Sequence, residues 1–273
     1  MKTDKKPSLQ KVTMDLENAD RDFRERWKEE SRRMFDSSEA RKAFQNVFDH
    51  KTSQALLKLA DNQVIKKMYG VIESGKESTV FLADTPEGER VIVKIYMTRA
   101  GSFREMKDYL RGDKRFRNVK DDRRSVVKEW TKKEFRNLKD AQNVVNCPEP
   151  VAVRENILVM DFIGENFSPY PKLKDVEVEN PETGYENIIE NIKQLWRQEK
   201  LVHGDLSEYN ILVEEDGLTH WIDFSHGVHS THPEAEHLLK RDIENIADFF
   251  RRKGVDTEVQ KRYEAIISNE EAL

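Results

Sequence analysis

The sequence is poor in cysteine and has no long apolar run. Its 273 residues include one cysteine, Cys147, which excludes an internal disulfide and favours a reducing compartment. The N-terminal stretch MKTDKKPSLQKVT lacks the apolar core of a signal peptide, and no run approaches the length of a transmembrane helix. We therefore expect a cytoplasmic protein that has no membrane partner.

Glycine is scarce too, and the phosphate loops that depend on it are absent or incomplete. The sequence has 11 glycines and no G-x-G-x-x-G run. Residues 70–76 begin like the P-loop G-x-x-x-x-G-K, but Glu77 follows where that motif needs the hydroxyl of Ser or Thr for Mg²⁺. A strand pattern comes next, in place of the required helix. These features exclude a P-loop and favour a strand–turn–strand covering any bound phosphates.

The charges nearly balance over the whole chain but not within its parts. The formal net charge is −5. Residues 99–140 carry 15 Lys and Arg against 8 Asp and Glu, whereas residues 141–273 carry 13 against 27. A basic segment in an acidic chain suggests an anionic partner such as RNA or an acidic peptide, with a solvated helix face as the alternative.

Hydrophobic periodicity indicates an α+β chain of two lobes. A polar tail, which we expect to be disordered, occupies residues 1–20, and the apolar spacing that follows predicts helices with one docking face. Strand patterns come early and helical patterns late. The predicted strands are Val71-Ile72, Val80–Leu82, Val91–Ile95, residues 157–163 and His220–Ile222, and the late helices centre on residues 188–196 and 238–250.

The stretch HGDLSEYN, residues 203–210, matches the kinase catalytic-loop pattern H-R-D-x-x-x-x-N in its His, Asp and Asn. In such a loop Asp205 would orient the attacking hydroxyl and accept its proton, while Asn210 would bind a metal ion. Asp223, in Ile222-Asp223-Phe224, follows a short predicted strand, as the kinase D-F-G aspartate does. It would bind the metal that bridges to the nucleotide phosphates.

Two upstream residues complete this pattern. Lys94, in VIVK, takes the place of the kinase strand lysine that contacts the α- and β-phosphates. Glu134 shares a predicted helix face with Trp130 and Leu138, so its carboxylate should point inward and need a partner, which Lys94 can provide. Glu129 is the alternative partner, but it lies off that face.

The remaining nucleotide contacts are predicted from position. Backbone amides, Ser hydroxyls and Lys76 of the phosphate loop should replace the missing glycine-rich loop, and Met160 should lie behind the adenine, with backbone groups of the next residues at its edge. The predicted nucleotide-binding residues are Ser74, Gly75, Lys76, Glu77, Ser78, Val80, Lys94, Met160, Asp161 and Ile163.

The chain resembles the RIO family of atypical serine/threonine protein kinases, in the branch without a winged-helix domain. The motifs are SGKESTVF, VKIY, KEFRNL, LVMDFIGE, LVHGDLSEYNIL, IDF, His232-Pro233 and KRDIENIADFF. The resemblance covers roughly residues 46–253 and implies a bilobal protein-kinase-like fold, with a mainly β small lobe and hinge (66–163) and a truncated, mainly α large lobe (164–273). The polar tail and N-terminal helices (1–65) are predicted from the residues, and most of them lie outside the resemblance. The resemblance also implies ATP with Mg²⁺ or Mn²⁺ as cofactors, and a monomer that acts on the precursor of the small ribosomal subunit and its RNA.

The sequence departs from the family pattern at two places. The phosphate loop reads GKEST where the family has Ala-Asn after GKE, and Ser225 stands where the family has Gly after the metal-binding Asp. Two other functions remain open. One is a ribosome-assembly factor that uses ATP hydrolysis as a release switch. The other is a small-molecule phosphotransferase, which we disfavour because only about fifty residues follow Asp223.

Residues 99–124 are basic and have few apolar anchors, which predicts a mobile insertion between the strand of Lys94 and the helix of Glu134. The resemblance suggests Ser102 as the autophosphorylation site, with Ser125 as the alternative. We expect the arginines of this segment, Arg115, Arg117, Arg123 and Arg124, to contact ribosomal RNA. His226, His229 and His232 recur every three residues, but no cysteine accompanies them, so we disfavour a metal site there.

Overall fold

The computed structural model describes residues 9–98, 101, 103–116 and 119–268. Three helices come first, before any strand. They are α1 (Leu9–Met34), α2 (Ser38–Val47) and α3 (His50–Asp61). Helix α1 begins inside the expected polar tail of residues 1–20, so that expectation is wrong from Leu9 onward. The reason is that this stretch is rich in Leu, Lys, Met, Glu and Ala, which favour helix.

The apolar faces of these helices pack on the back of the small-lobe sheet. Phe44 is fully buried, and its ring centroid lies 6.2 Å from that of Phe81 in the sheet. Side chains cap the second and third helices: Ser37 Oγ accepts from Ala40 N, and Asp49 Oδ1 accepts from Thr52 N. The helical aromatics therefore form a docking surface for the sheet, as predicted.

The small lobe is built on a five-stranded antiparallel sheet whose strands lie in chain order, except that the fifth lies between the third and the fourth. Three of its strands were predicted as a consecutive set, and the strand at residues 157–163 was predicted separately. The short edge strand beginning at Pro150 was missed because it is half exposed and has no strong apolar pattern. The strands are β1 (Lys67–Ser74), β2 (Ser78–Asp84), β3 (Arg90–Tyr96), β4 (Pro150–Arg154) and β5 (Ile157–Asp161).

Two helices separate β3 from β4, namely α4 (Phe103–Gly112) and α5 (Arg123–Ala141). Met106 and Leu110 of α4 are each 1% exposed and pack with Trp130 of α5 in one apolar cluster. The prediction of few apolar anchors is therefore wrong for residues 103–116, and the mobility predicted from it loses its basis there. The anchors were overlooked because only every third or fourth residue of α4 is apolar, which is enough for one helix face.

The large lobe consists of three helices and short strand pairs. The helices are α6 (Pro181–Arg197), α7 (Ala235–Arg251) and α8 (Val259–Ile267); the strands are β6 (Gly164–Glu165), β7 (Ser168–Pro169), β8 (Leu201–Val202), β9 (Ile211–Val213), β10 (Thr219–Trp221) and β11 (Val228–His229). The pairs β9–β10 and β8–β11 enclose the loops that carry Asp205 and Asp223. This arrangement confirms the α+β, bilobal kinase-like fold, while the lobe boundaries given above stay predictions. Across the described residues, none of the helices combines the length and apolar character that a membrane crossing requires.

Candidate active site

A cleft of about 560 Å³ lies between the sheet and the large lobe. Most residues predicted to bind nucleotide or metal line it: Gly75, Lys76, Glu77, Ser78, Val80, Lys94, Met160, Asp161, Ile163, Asn210 and Asp223. Ser74 does not line it; this residue pairs with Thr79 at the end of the β1–β2 hairpin. Ser102, the autophosphorylation candidate, lies outside the described residues.

Lys94 connects the small lobe to the loop that carries Asp223. Its Nζ lies 2.7 Å from Glu134 Oε1 and 2.9 Å from Asp223 Oδ1. The Tyr96 hydroxyl donates to the other oxygen of Glu134, so both oxygens of this fully buried carboxylate have donors. Glu129 instead bonds Lys132 on the same helix at 2.6 Å. The contact between Lys94 and Glu134 is thus present, and the alternative partner is not used.

Lys94 and Asp223 hold each other in their charged forms, whereas burial opposes the charge of Glu134. Burial alone would lower the pKa of Lys94, but the charges of Asp223 and Glu134 outweigh it and raise that pKa well above its usual value. Burial opposes ionisation of Asp223 too, yet the ammonium of Lys94 and the hydrogen bonds that it and Ser225 donate hold the pKa of Asp223 well below its ordinary range. For Glu134 burial wins, and its pKa is raised despite Lys94.

The catalytic-loop residues Asp205 and Asn210 lie side by side. Asn210 Nδ2 donates to the carbonyl of Asp205 at 2.8 Å and to its Oδ2 at 3.2 Å. Burial raises the pKa of Asp205, with His226 acting in the opposite direction. His203 is buried and its pKa is lowered to about 4 by desolvation, so it is uncharged at neutral pH. Its Nε2 lies 3.0 Å from the carbonyl of Ile222 and so joins the loop to the residue before Asp223.

Gly204 replaces the arginine of the general pattern for a structural reason. Its φ is +77°, and a Cβ would lie 2.6 Å from His226 O. Only glycine avoids both the strained backbone and the clash. This close approach packs the catalytic loop against the loop of Asp223.

A family model described as the RIO domain matches residues 79–263. The chain belongs to the RIO family of serine/threonine kinases, and it is a phosphotransferase. The RIO-type serine/threonine-protein kinase Rio1 of Haloferax volcanii is 42% identical over 252 residues, covering 92% of this chain and 84% of the relative. The Rio1 of Methanocaldococcus jannaschii is 40% identical over 251 residues, covering 92% and 85%.

A solved structure shows the same fold. The crystal structure of the Rio2 kinase–ADP/Mg²⁺–phosphoaspartate complex from Chaetomium thermophilum superposes with a TM-score of 0.60 at 22% identity. The match covers 81% of this chain and 67% of that one.

The side chains of Asn210 and Asp223 would fit a hard divalent cation. The Asp223 side chain is 42% exposed, and both it and Asn210 line the cleft. Because Asn210 uses its Nδ2 toward Asp205, its amide oxygen remains as the ligand atom. A carboxylate and an amide oxygen, completed by water and phosphate oxygens, suit Mg²⁺ or Mn²⁺.

Two backbone groups of the hinge residues are hydrogen-bonded within the protein. Asp161 N donates to Glu149 O at 2.9 Å, and Ile163 O accepts from Tyr170 N at 3.3 Å. The Asp161 carbonyl and the Ile163 N–H are therefore the groups that we expect to meet an adenine edge. In the phosphate loop, Gly75 N donates to Ser78 O at 2.9 Å, which closes the turn between β1 and β2.

Sequence reasoning missed the apolar walls of the cleft and one buried acid. Ile72, Ile92, Leu212 and Ile222 line the cleft together with the predicted nucleotide-binding residues. The two apolar residues nearest the catalytic loops were visible in the sequence, since Leu212 follows Asn210 and Ile222 precedes Asp223. Asp242, in KRDIENIADFF, is 1% exposed and accepts from Gly204 N at 2.8 Å and from Leu206 N at 2.9 Å. It holds the catalytic loop on both sides of Asp205.

We expect Asp242→Asn to damage this loop although the side chains have the same shape. An amide has one acceptor oxygen, so one of the two buried backbone N–H groups would face the NH₂ group, at a cost of about 1–3 kcal/mol for the unmet donor. Thermal denaturation and the rate of phosphoryl transfer should both report this loss. Arg251→Gln is the control, because Arg251 is exposed at the end of the same helix. Wild-type rates in Asp242→Asn would contradict the role of Asp242.

Proposed function

We propose that this chain is an ATP- and Mg²⁺-dependent serine/threonine kinase. One observation carries the proposal: Lys94 contacts both Glu134 and Asp223 inside a cleft of about 560 Å³ that Asn210 also lines. This is the arrangement that kinases use to bind nucleotide phosphates and a metal.

The residues have separable roles in this proposal. Lys94 binds the α- and β-phosphates, with Glu134 fixing its position. Asn210 and Asp223 hold Mg²⁺, which neutralises phosphate charge when it is bound. Asp205 orients the acceptor hydroxyl and takes its proton, and the raised pKa of Asp205 makes it a stronger base than an ordinary carboxylate. Lys76 and the backbone of residues 75–78 cover the phosphates.

A release-switch ATPase is the second candidate. The Rio2 structure to which this chain is similar is described as containing a phosphoaspartate. Carried over to this chain, the acceptor would be Asp223, whose carboxylate is accessible from the cleft. Hydrolysis of that acyl phosphate would make the protein an ATP-driven switch, with peptide phosphorylation minor.

The fate of the γ-phosphate separates these activities. The purified protein is incubated with γ-labelled ATP and Mg²⁺, with and without precursor small-subunit particles. A kinase leaves label on Ser or Thr of itself or of the particle, whereas a switch leaves label on Asp or in free phosphate. No transfer and no hydrolysis under either condition would contradict the proposal. Labelling of an added small molecule alone would instead favour a small-molecule phosphotransferase.

We further propose a cytoplasmic monomer that acts in maturation of the small ribosomal subunit, on the strength of the family resemblance. Of the four arginines expected to contact RNA, Arg123 is exposed, Arg117 lies outside the described residues, and the other two have partners within the protein. Arg115 is bonded to Asp113 and Asn137, and Arg124 to Asp49, so both are engaged within the protein. Lys114 and Lys120 are exposed in the same segment and suit the role better.

Replacing Lys114 and Lys120 together by Gln should weaken binding to the precursor particle and leave ATP affinity unchanged. Each phosphate contact that is lost should reduce the slope of log affinity against log salt by about 0.7–0.9. Filter binding over a salt series measures this slope. The control is the pair Lys253→Gln and Lys261→Gln, which are exposed on the large lobe. If the two double variants have the same slope of log affinity against log salt, the lysines of this segment do not contact the RNA.

A further inference from the structure

Asn137, one turn beyond Glu134 on α5, is fully buried and contacts the loop of Asp223. Its Nδ2 donates to Phe224 O at 2.9 Å and to Gly227 O at 2.8 Å. Both protons of the amide are therefore bonded to carbonyls on either side of one short loop. Nothing in the kinase roles described above uses this residue.

The opposite end of the amide is held as well. Arg115 donates to Asn137 Oδ1 at 2.9 Å, and Asp113, which is 2% exposed, binds the same guanidinium at 2.7 Å. With two carbonyls on one side and a guanidinium on the other, the amide can satisfy all its partners in one orientation only. Arg115 thus fixes the direction in which Asn137 donates.

The loop needs external support because its backbone is strained. Asp223 has φ +63°, in the left-handed region that a non-glycine residue adopts at a cost in free energy. A second α5 side chain, Lys133, donates to Ser225 O at 2.7 Å. Gly227 lies so close to α5 that a Cβ there would be 2.8 Å from Asn137 Nδ2. The loop is therefore held by its carbonyls against one rigid helix.

We propose that Asn137 is a positioning residue for Asp223, and that Arg115 couples the connection between α4 and α5 to metal affinity. The inference rests on the proposed function, because it takes Asp223 to be a metal ligand. Groups that orient metal ligands usually change metal affinity by 10- to 100-fold when they are replaced.

Asn137→Asp tests the proposal with almost no change of shape. The carboxylate still accepts from Arg115 but cannot donate, and it faces the carbonyls of Phe224 and Gly227. Arg115→Met leaves both donors in place and frees their orientation. Arg111→Met is the matched control. Arg111 lies near the end of α4, just before the connection to α5, and its side chain is 64% exposed.

Two measurements are needed, one without ligands. Amide hydrogen exchange of the peptide containing residues 223–228 is followed in metal-free, nucleotide-free protein, and ADP binding is titrated with Mg²⁺ and with EDTA. We expect Asn137→Asp to accelerate exchange in that peptide and to weaken Mg²⁺-dependent ADP binding about tenfold. Binding of ADP in EDTA should not change. Arg115→Met should shift both quantities less in the same direction, and Arg111→Met should match wild type.

Other outcomes overturn the proposal. Equal loss of ADP binding with and without Mg²⁺, with faster exchange throughout the protein, would mean a general structural role. Should Asn137→Asp fail to fold, Arg115→Met decides, and wild-type exchange and metal dependence in that variant would reject the coupling. Asp223→Ala distinguishes failure of the proposed metal role from failure of the positioning role. If it retains Mg²⁺-dependent binding, the proposed metal role fails; if it loses that binding while Asn137→Asp matches wild type, only the positioning role fails.

Discussion

Asp205→Asn should lower the rate of phosphoryl transfer by roughly 10²–10⁴-fold while ADP binding stays close to wild type. The substitution removes the proton acceptor but keeps the size and shape of the side chain. Asp205 does not line the cleft that would hold the nucleotide, whereas Lys94 and Asp223 do. Single-turnover transfer of labelled phosphate and calorimetric titration with ADP measure the two quantities separately.

Glu208→Gln provides the control on the same loop, because the side chain of Glu208 bonds Arg252 at 2.7 Å and has no proposed part in the chemistry. The acid limb of the pH–rate profile gives a second readout. Burial raises the pKa of Asp205, so wild-type activity should fall at a pH above the ordinary range of an aspartate. That limb should be absent from any residual activity of Asp205→Asn. If Asp205→Asn transferred phosphate at the wild-type rate, Asp205 would not be the proton acceptor.

Lys94→Met should abolish transfer and also destabilise the fold, by about 3–5 kcal/mol near neutral pH. Glu134 is fully buried, and without Lys94 its charge has only the hydroxyl of Tyr96 as a donor. Adding Glu134→Gln to the first substitution removes that buried charge, so the double variant should recover much of the stability without recovering activity. Urea unfolding and the transfer assay distinguish these outcomes.

The destabilisation should depend on pH in a defined direction. Burial raises the folded-state pKa of Glu134 above its unfolded value, and without Lys94 burial acts with less opposition. A raised pKa in the folded state favours folding at low pH, and this contribution is lost as pH rises through the folded-state pKa. The stability difference between wild type and Lys94→Met should therefore be larger at pH 8 than at pH 5.

Glu129→Gln is the matched control. Glu129 forms an ion pair with Lys132 on the same helix, and such a pair contributes only about a few tenths of a kcal/mol to stability. A Lys94→Met variant as stable as wild type at every pH would show that Glu134 does not need this partner. Equal damage from Glu129→Gln would reverse the choice between the two glutamates.

The sequence was informative wherever a local pattern has a physical cause. Strands such as β2 and β3 were predicted because their apolar residues run almost unbroken through a buried sheet. The catalytic loop was predicted because its charged and amide residues have a fixed spacing between two apolar segments. Short or partly exposed elements such as β4 and α4 gave weaker patterns, so β4 was missed and α4 was taken for a mobile segment.

By itself, the sequence predicted the α+β class, the strands β1, β2, β3 and β5 in their order, and the candidate site residues, because each depends on local composition or on short-range spacing. Those candidates are Lys94, Glu134, Asp205, Asn210 and Asp223. Only the tertiary structure decided which groups from distant parts of the chain meet. Asp242 lies 38 residues from Gly204 and Asn137 lies 90 from Gly227, yet each pair is joined by a hydrogen bond. No local pattern indicates such partners, since a buried polar side chain finds its donors and acceptors only after distant segments have packed together.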